Sequence, residues 1–140
     1  MDETVLKFSE DHLWILEMGE TIRIGLSDYA QEQLGEIISA TMGEVGRFLE
    51  RGETFGEVES QKTVVELSSP ITGTIRAVND TMVEDPTLVN VDPYGKGWLV
   101  EIELDDPEEI DQLMSFEDYE KRSKDGIKIR KAVSFNEKTV

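Results

Sequence analysis

Lys62 is the only lysine between Lys7 and Lys96, and it stands in Val58-Glu59-Ser60-Gln61-Lys62-Thr63-Val64-Val65-Glu66. On either side Phe55, Val58, Val64, Val65 and Leu67 supply β-forming side chains. Between them the polar run Glu59-Ser60-Gln61 marks a tight reversal. This pattern puts one amine at the tip of a hairpin, presented to an enzyme that modifies lysine. Other chemistry is thinly represented. His12 is the sole histidine, so one chain offers no His–His metal cluster, and the residue is expected to pack or hydrogen-bond at a strand start. Gly95-Lys96-Gly97 lacks the spacing of a phosphate loop. Asp105 to Asp111 lacks the central glycine and ligand register of an EF-hand and reads as a helix N-terminus favoured by the dipole.

The surrounding elements must hold that tip. Several short β-rich runs separated by turn residues suggest a sandwich or barrel. Leu13-Trp14-Ile15-Leu16 and Thr21-Ile22-Arg23-Ile24 flank Gly19 as a hairpin. Ser27 is placed to cap a short helix running to Leu34, with Gly35 ending it in the left-handed conformation. Tyr29, Ala30, Gln33 and Leu34 are expected to form its inner side. Glu36–Thr41 reads as strand, Gly73–Val78 alternates as a half-buried strand, and Asn79-Asp80 breaks it. Asp85-Pro86 opens a loop. Trp98, Val100, Ile102 and Leu104 are expected on one face of a further strand. Asp106-Pro107 starts a helix with Ile110, Leu113 and Met114 inward, and Ser115 with Asp118 restarts a second in capping-box style. Residues 122–140 carry no coherent period and are expected to form a basic, mobile tail beyond a domain of residues 1–121.

The 140 residues suit one domain. Residues 1–120 carry a net charge of −22 and residues 121–140 a net of +5. So acidic a body repels nucleic acid phosphates and anionic membranes and favours basic docking surfaces. The absence of cysteine removes disulfides, thiolate metal sites and cysteine nucleophiles, and fits a reducing cytosol. Met1-Asp2-Glu3 lacks a signal-peptide pattern, and no apolar run approaches the ~20 residues needed to cross a bilayer. A soluble cytoplasmic protein is expected.

Three ordered motifs narrow the reading. Gly46 lies 16 residues before Lys62 and Gly73 lies 11 after it, a frame similar to that of lipoyl domains. Gly25-Leu26-Ser27-Asp28-Tyr29-Ala30-Gln31-Glu32-Gln33-Leu34-Gly35 and Leu88-Val89-Asn90-Val91-Asp92-Pro93-Tyr94-Gly95-Lys96-Gly97-Trp98-Leu99 resemble two further family runs. From about Phe8 to Tyr119 the chain resembles the H protein of the glycine cleavage system. Biotin carriers flank their lysine with methionines, whereas Gln61 and Thr63 stand here. The resemblance implies a mainly β fold, a flattened lipoyl/biotinyl-type barrel or sandwich with a short helix in the N-terminal half and helices near the C-terminus, in which Gly46 and Gly73 serve turns. It implies lipoic acid on Lys62, attached by a lipoate ligase or a lipoyl/octanoyl transferase. The arm would receive an aminomethyl group from the P protein, yield its one-carbon unit at the T protein and be reoxidised by the L protein. Such a carrier is not itself an enzyme. It is expected to act as a monomer that docks transiently. The lysine plus acyl chain would reach on the order of 12–14 Å at extended-chain geometry.

The resemblance also locates the departures. Between His12 and Trp14 the family carries glutamate, which helps hold the amine of the loaded arm; here the residue is Leu13, which accepts no hydrogen bond. Asp11 and Glu66 are expected near the same cleft, with Glu59, Ser60 and His12 as further arm-recognition candidates. The family's proline-containing run is replaced by Ile38–Gly46, and Gln61 replaces a valine. These changes leave the acceptor expectation intact and three cargo readings open. They are aminomethyl transfer, sulfur carriage in a heterodisulfide-reductase-like pathway, and relay of lipoyl groups to 2-oxoacid dehydrogenases. An unmodified interaction module is the remaining alternative.

Overall fold

The computed structural model describes residues 3–124. After a 3₁₀ turn at Glu3–Val5 come β1 (Lys7–Phe8), β2 (Leu13–Met18), β3 (Thr21–Leu26) and α1 (Asp28–Leu34). Next are β4 (Ile37–Met42), β5 (Phe48–Leu49), β6 (Thr54–Ser60), β7 (Val64–Ser68) and β8 (Gly73–Val78). Two short helices follow, α2 (Asp80–Glu84) and α3 (Leu88–Val91), then β9 (Val100–Leu104), a 3₁₀ helix at Pro107–Gln112, β10 (Met114–Ser115) and α4 (Phe116–Lys124).

Two antiparallel sheets result. One has seven strands in the order β10-β1-β2-β3-β9-β8-β5, and the other has three, β4-β6-β7. Strand alternation sends Ile15, Ile22, Ile24, Ile75, Val100 and Ile102 of the large sheet to one side. There they meet Ile37, Phe55, Val58, Val65 and Leu67 of the small sheet in one buried cluster. This mainly β, two-sheet architecture with few helices is the expected one.

The opposite face of the large sheet holds a second cluster of Leu6, Phe8, Trp14 and Tyr119, closed by Met114, Phe116, Tyr94 and Trp98. Trp14 pairs across with Gly25, and the indole lies so close that a Cβ there would sit 2.5 Å from its ring. The ring stack of Phe8 on Tyr119, with centroids 4.5 Å apart, fixes α4 to this face.

Several local expectations are corrected. Ala30 and Leu34, an i,i+4 row, face the core, but Tyr29 and Gln33 form the next row round the helix and are exposed. Trp98 does not share the face of Val100 and Ile102, because turn bonds from Gly95, Gly97 and Trp98 interrupt the alternation ahead of β9. Its indole belongs to the outer cluster, with the Arg23 guanidinium 4.5 Å from the ring. Asn79-Asp80 ends β8 as expected but opens α2, the Asn79 side chain accepting from the Met82 amide. The segment after Asp85-Pro86 contains α3 in addition to loop. The helix after Asp106 is 3₁₀ in form, and Met114 leaves it for β10, paired with Phe8. Gly46 has φ +98 and serves a turn, whereas Gly73 begins β8. Its lack of a side chain serves close approach of backbone, since a Cβ would fall on the Glu103 carbonyl oxygen. The expected domain boundary after residue 121 falls within α4, and residues 125–140 of the basic tail lie outside the described residues.

Candidate functional site

Strands β6 and β7 form the expected hairpin, paired from Thr54↔Ser68 to Glu59↔Val64 with a register shift between Thr54 and Gly56. Its tip is closed by the Ser60 amide donating to the Thr63 carbonyl at 2.9 Å. Neither Gln61 nor Lys62 has positive φ, so this is not the primed turn that two-residue hairpins usually use. Ser60 supplies what the turn lacks. Its hydroxyl, buried with the rest of the residue, accepts from the amides of Lys62 at 3.2 Å and Thr63 at 3.3 Å. The backbone at the tip is thereby held from inside the barrel while the lysine side chain is exposed. Its Cε comes near the end of α1, 3.8 Å from where a Cβ added at Gly35 would stand.

Beside β7 is a small pocket of about 10 Å³, room for roughly one water molecule, lined by Asp11, Leu13, Leu26, Val65, Glu66, Leu67 and Ser68. Glu66 lies four residues along the strand from Lys62, about 13 Å at ~3.3 Å per residue. That is within the reach of a lipoyl-length arm. The β1–β2 turn positions two of the lining residues. His12 adopts φ +71, its amide donates to the Ser9 carbonyl, and the Ser9 hydroxyl accepts from the amides of Asp11 and Leu13. The reversal brings Asp11 and Leu13 to the same pocket as Glu66. The resemblance gave the expectation that these three lie near one cleft, and all three line this pocket.

His12 and Glu59 are not among the pocket-lining residues. The imidazole is 2 % exposed, with Nδ1 2.8 Å from the Tyr119 hydroxyl. That hydroxyl lies 2.7 Å from Ser27 Oγ, which in turn accepts from the Ala30 amide. This buried chain joins the β1–β2 turn, the cap of α1 and α4. His12 is thus the hydrogen-bonding, packed residue expected at the strand start, while Glu59 sits exposed on the outer face of β6. Residue types alone did not identify Leu26, Val65 and Leu67 as pocket walls. Strand alternation turns all three inward, but the contact between the sheets that assembles them is tertiary. A larger groove shares Asp11 and Ser68 with this pocket and continues past Ser9, Arg51 and Arg122. Among the described residues no group of His, Cys, Asp and Glu is arranged to hold a metal ion.

A two-sheet β protein that displays one lysine at a hairpin tip has the architecture of a carrier domain. The family model for the glycine cleavage H-protein matches residues 6–126, and the chain belongs to that family. It is 45% identical over 115 residues to a glycine cleavage system H protein of Anoxybacillus flavithermus, spanning 82% of this chain and 91% of the relative. A Bacillus pumilus protein of the same name is 45% identical over 120 residues, spanning 86% and 94%. The crystal structure of a glycine cleavage system H protein from Mycobacterium marinum superposes with a TM-score of 0.78 at 32% identity, covering 89% of this chain and 98% of that one.

Proposed function

We propose that Lys62 is the lipoyl attachment site and that the chain is the lipoyl carrier of a glycine cleavage system, moving an aminomethyl group between the P and T proteins and returning its dithiol to the L protein. The observation that carries this reading is the rigid presentation of an exposed lysine, one arm's length from a pocket with carboxylates in its lining. The bound group supplies disulfide–dithiol chemistry, which a chain without cysteine lacks. The protein contributes placement. Ser60 anchors the backbone from which the arm swings, turning encounters with several active sites into local ones at high effective concentration. Leu13, Leu26, Val65 and Leu67 give the pocket an apolar wall, and Asp11 and Glu66 supply acceptors for a cationic amine.

These two carboxylates support one of the cargo readings over the others. Leu13 removes the acid that the family carries at its position, and the loss of an ionic acceptor costs about 1–3 kcal/mol of amine binding. Asp11 and Glu66 line the same pocket and offset that loss, so an amine cargo is favoured over an anionic sulfur species. The acidic body, net −22 over residues 1–120, steers toward basic docking faces on the P, T and L proteins and on the enzyme that attaches lipoate. The chain works as a non-catalytic, cytoplasmic subunit that docks transiently as a monomer.

The first test is the intact mass of the protein after incubation with a lipoate ligase and free lipoate, beside Lys62→Arg. A single lipoyl adduct absent from the variant is expected. No adduct under conditions that modify a known acceptor would leave the interaction-module reading in its place. With purified P, T and L proteins, the lipoylated chain should support glycine decarboxylation; failure there, with the adduct present, would overturn the aminomethyl cargo alone.

A further inference from the structure

The hairpin tip has a neighbour of its own, apart from the carboxylate-lined pocket farther along β7. In the small sheet β6 lies between β4 and β7, so the two flanks of the tip face different surroundings. The pocket borders β7. On the other flank, just ahead of β4, Lys62 Cε lies 3.8 Å from where a Cβ on Gly35 would stand. Gly35 has φ +81 and ψ −163, a region essentially restricted to glycine and different from the left-handed cap expected there. A bare backbone surface therefore lies beneath the end of the lysine side chain, with room where a Cβ would otherwise stand.

That surface is clamped by one side chain. Asn90, in α3, accepts the Ile37 amide on Oδ1 at 2.9 Å. Its Nδ2 donates to the Gly35 carbonyl at 2.9 Å and to Gln31 Oε1 at 2.9 Å. The Gly35 amide meanwhile closes the helix on the Gln31 carbonyl at 3.0 Å. One acceptor and two donors on one short side chain is the inventory of asparagine. Aspartate would turn both donors into acceptors facing oxygens, and an apolar residue would strand all three partners.

We propose that Asn90 is a positioning residue for the arm. By fixing the end of α1 it makes Gly35 a seat for the Lys62 stem, on the flank opposite the pocket. The seat sets the orientation in which the attaching enzyme meets the lysine. The proposal rests on Lys62 being the attachment site. Loss of the clamp lowers the fraction of lysine in the seated orientation, which raises the apparent dissociation constant of the enzyme without changing the bound chemistry.

Two readouts test it with the full chain. Because the chain has no cysteine, Lys62→Cys takes a single nitroxide label. Its spin-resonance spectrum should contain a slow component that is lost in Asn90→Asp and Asn90→Ala. On the native lysine, the same two variants should raise the KM of a lipoate ligase about three- to tenfold at unchanged kcat. A purely structural role for Asn90 would lower the melting temperature and move neither readout. If both variants fail to fold, Gln31→Leu, which deletes one of the three partners, should still give a measurable loss of the slow component. A parent spectrum without a slow component, or folded variants with unchanged spectrum and KM, overturns the seat. If the native lysine takes no lipoate, the attachment reading fails, while the nitroxide spectra still decide whether the stem is seated.

Discussion

Replacing Gly73 by alanine should destabilise the protein by about 3 kcal/mol. Gly73 opens β8 opposite Leu104 of β9, and a Cβ there would fall on the Glu103 carbonyl oxygen, with Ile102 Cγ2 2.7 Å away. The opposing oxygen belongs to a central strand and cannot turn aside as a flexible side chain could. Relief requires β8 to move off β9, which puts the overpacking cost at the upper part of the usual ~1–3 kcal/mol range. Weakening an adjacent ladder bond adds about 1 kcal/mol. For a chain of this size each kcal/mol lowers the melting temperature by roughly 3–5 °C, so a fall of about 10–15 °C is expected. Thermal unfolding followed by circular dichroism measures it, with urea unfolding to show that the midpoint moves while the slope does not. Gly46→Ala is the comparison. Gly46 has φ +98 with open space around it, so only backbone strain of about 1–2 kcal/mol is incurred. A Gly73→Ala protein melting within about 2 °C of the parent, or above Gly46→Ala, would refute the close-approach argument.

Tyr119→Phe deletes the hydroxyl that lies between His12 Nδ1 and Ser27 Oγ while keeping the stack on Phe8. It should cost about 1–3 kcal/mol, read by the melting temperature, and should raise protease susceptibility within α4; an unchanged melt and digest would mean the chain of hydroxyls holds nothing. Ser60→Ala removes the acceptor for the Lys62 and Thr63 amides, so hydrogen exchange at those two amides should accelerate while amides of β2 and β3 keep their protection. Its stability cost should be near 1 kcal/mol, and equal protection at the tip in variant and parent would remove Ser60 from the account of arm presentation.

Much of the site was readable because it is local. A hairpin tip needs only β-formers on both sides of a polar reversal, and residues 55–67 supply both, so β6, β7 and the exposed Lys62 followed from neighbours in the chain. Ser27 as the cap of α1 and Gly19 in the β2–β3 turn were legible for the same reason. Harder cases depended on partners distant in sequence. Tyr29 and Gln33 looked inward on composition, yet a seven-residue helix buries one i,i+4 row, and the sheet beneath chose Ala30 and Leu34. Trp98 looked like strand until the turns around Asp92 placed it under Arg23. Gly73 carried the same letter as a turn glycine, and only the position of β9 reveals that its role is close approach.

By itself the sequence determined the strand-rich character of the chain, its strong acidity and the presentation of one lysine on a hairpin. Alternation, turn chemistry and charge act over a few residues or over the whole chain, and neither scale needs the fold. Tertiary structure decided what surrounds that lysine. Asp11 and Glu66 share a pocket because two sheets pack face to face. Asn90 reaches Gly35, 55 residues away, because α3 is packed beside α1. Contacts across such separations are set by the burial of a common core, which no local pattern records.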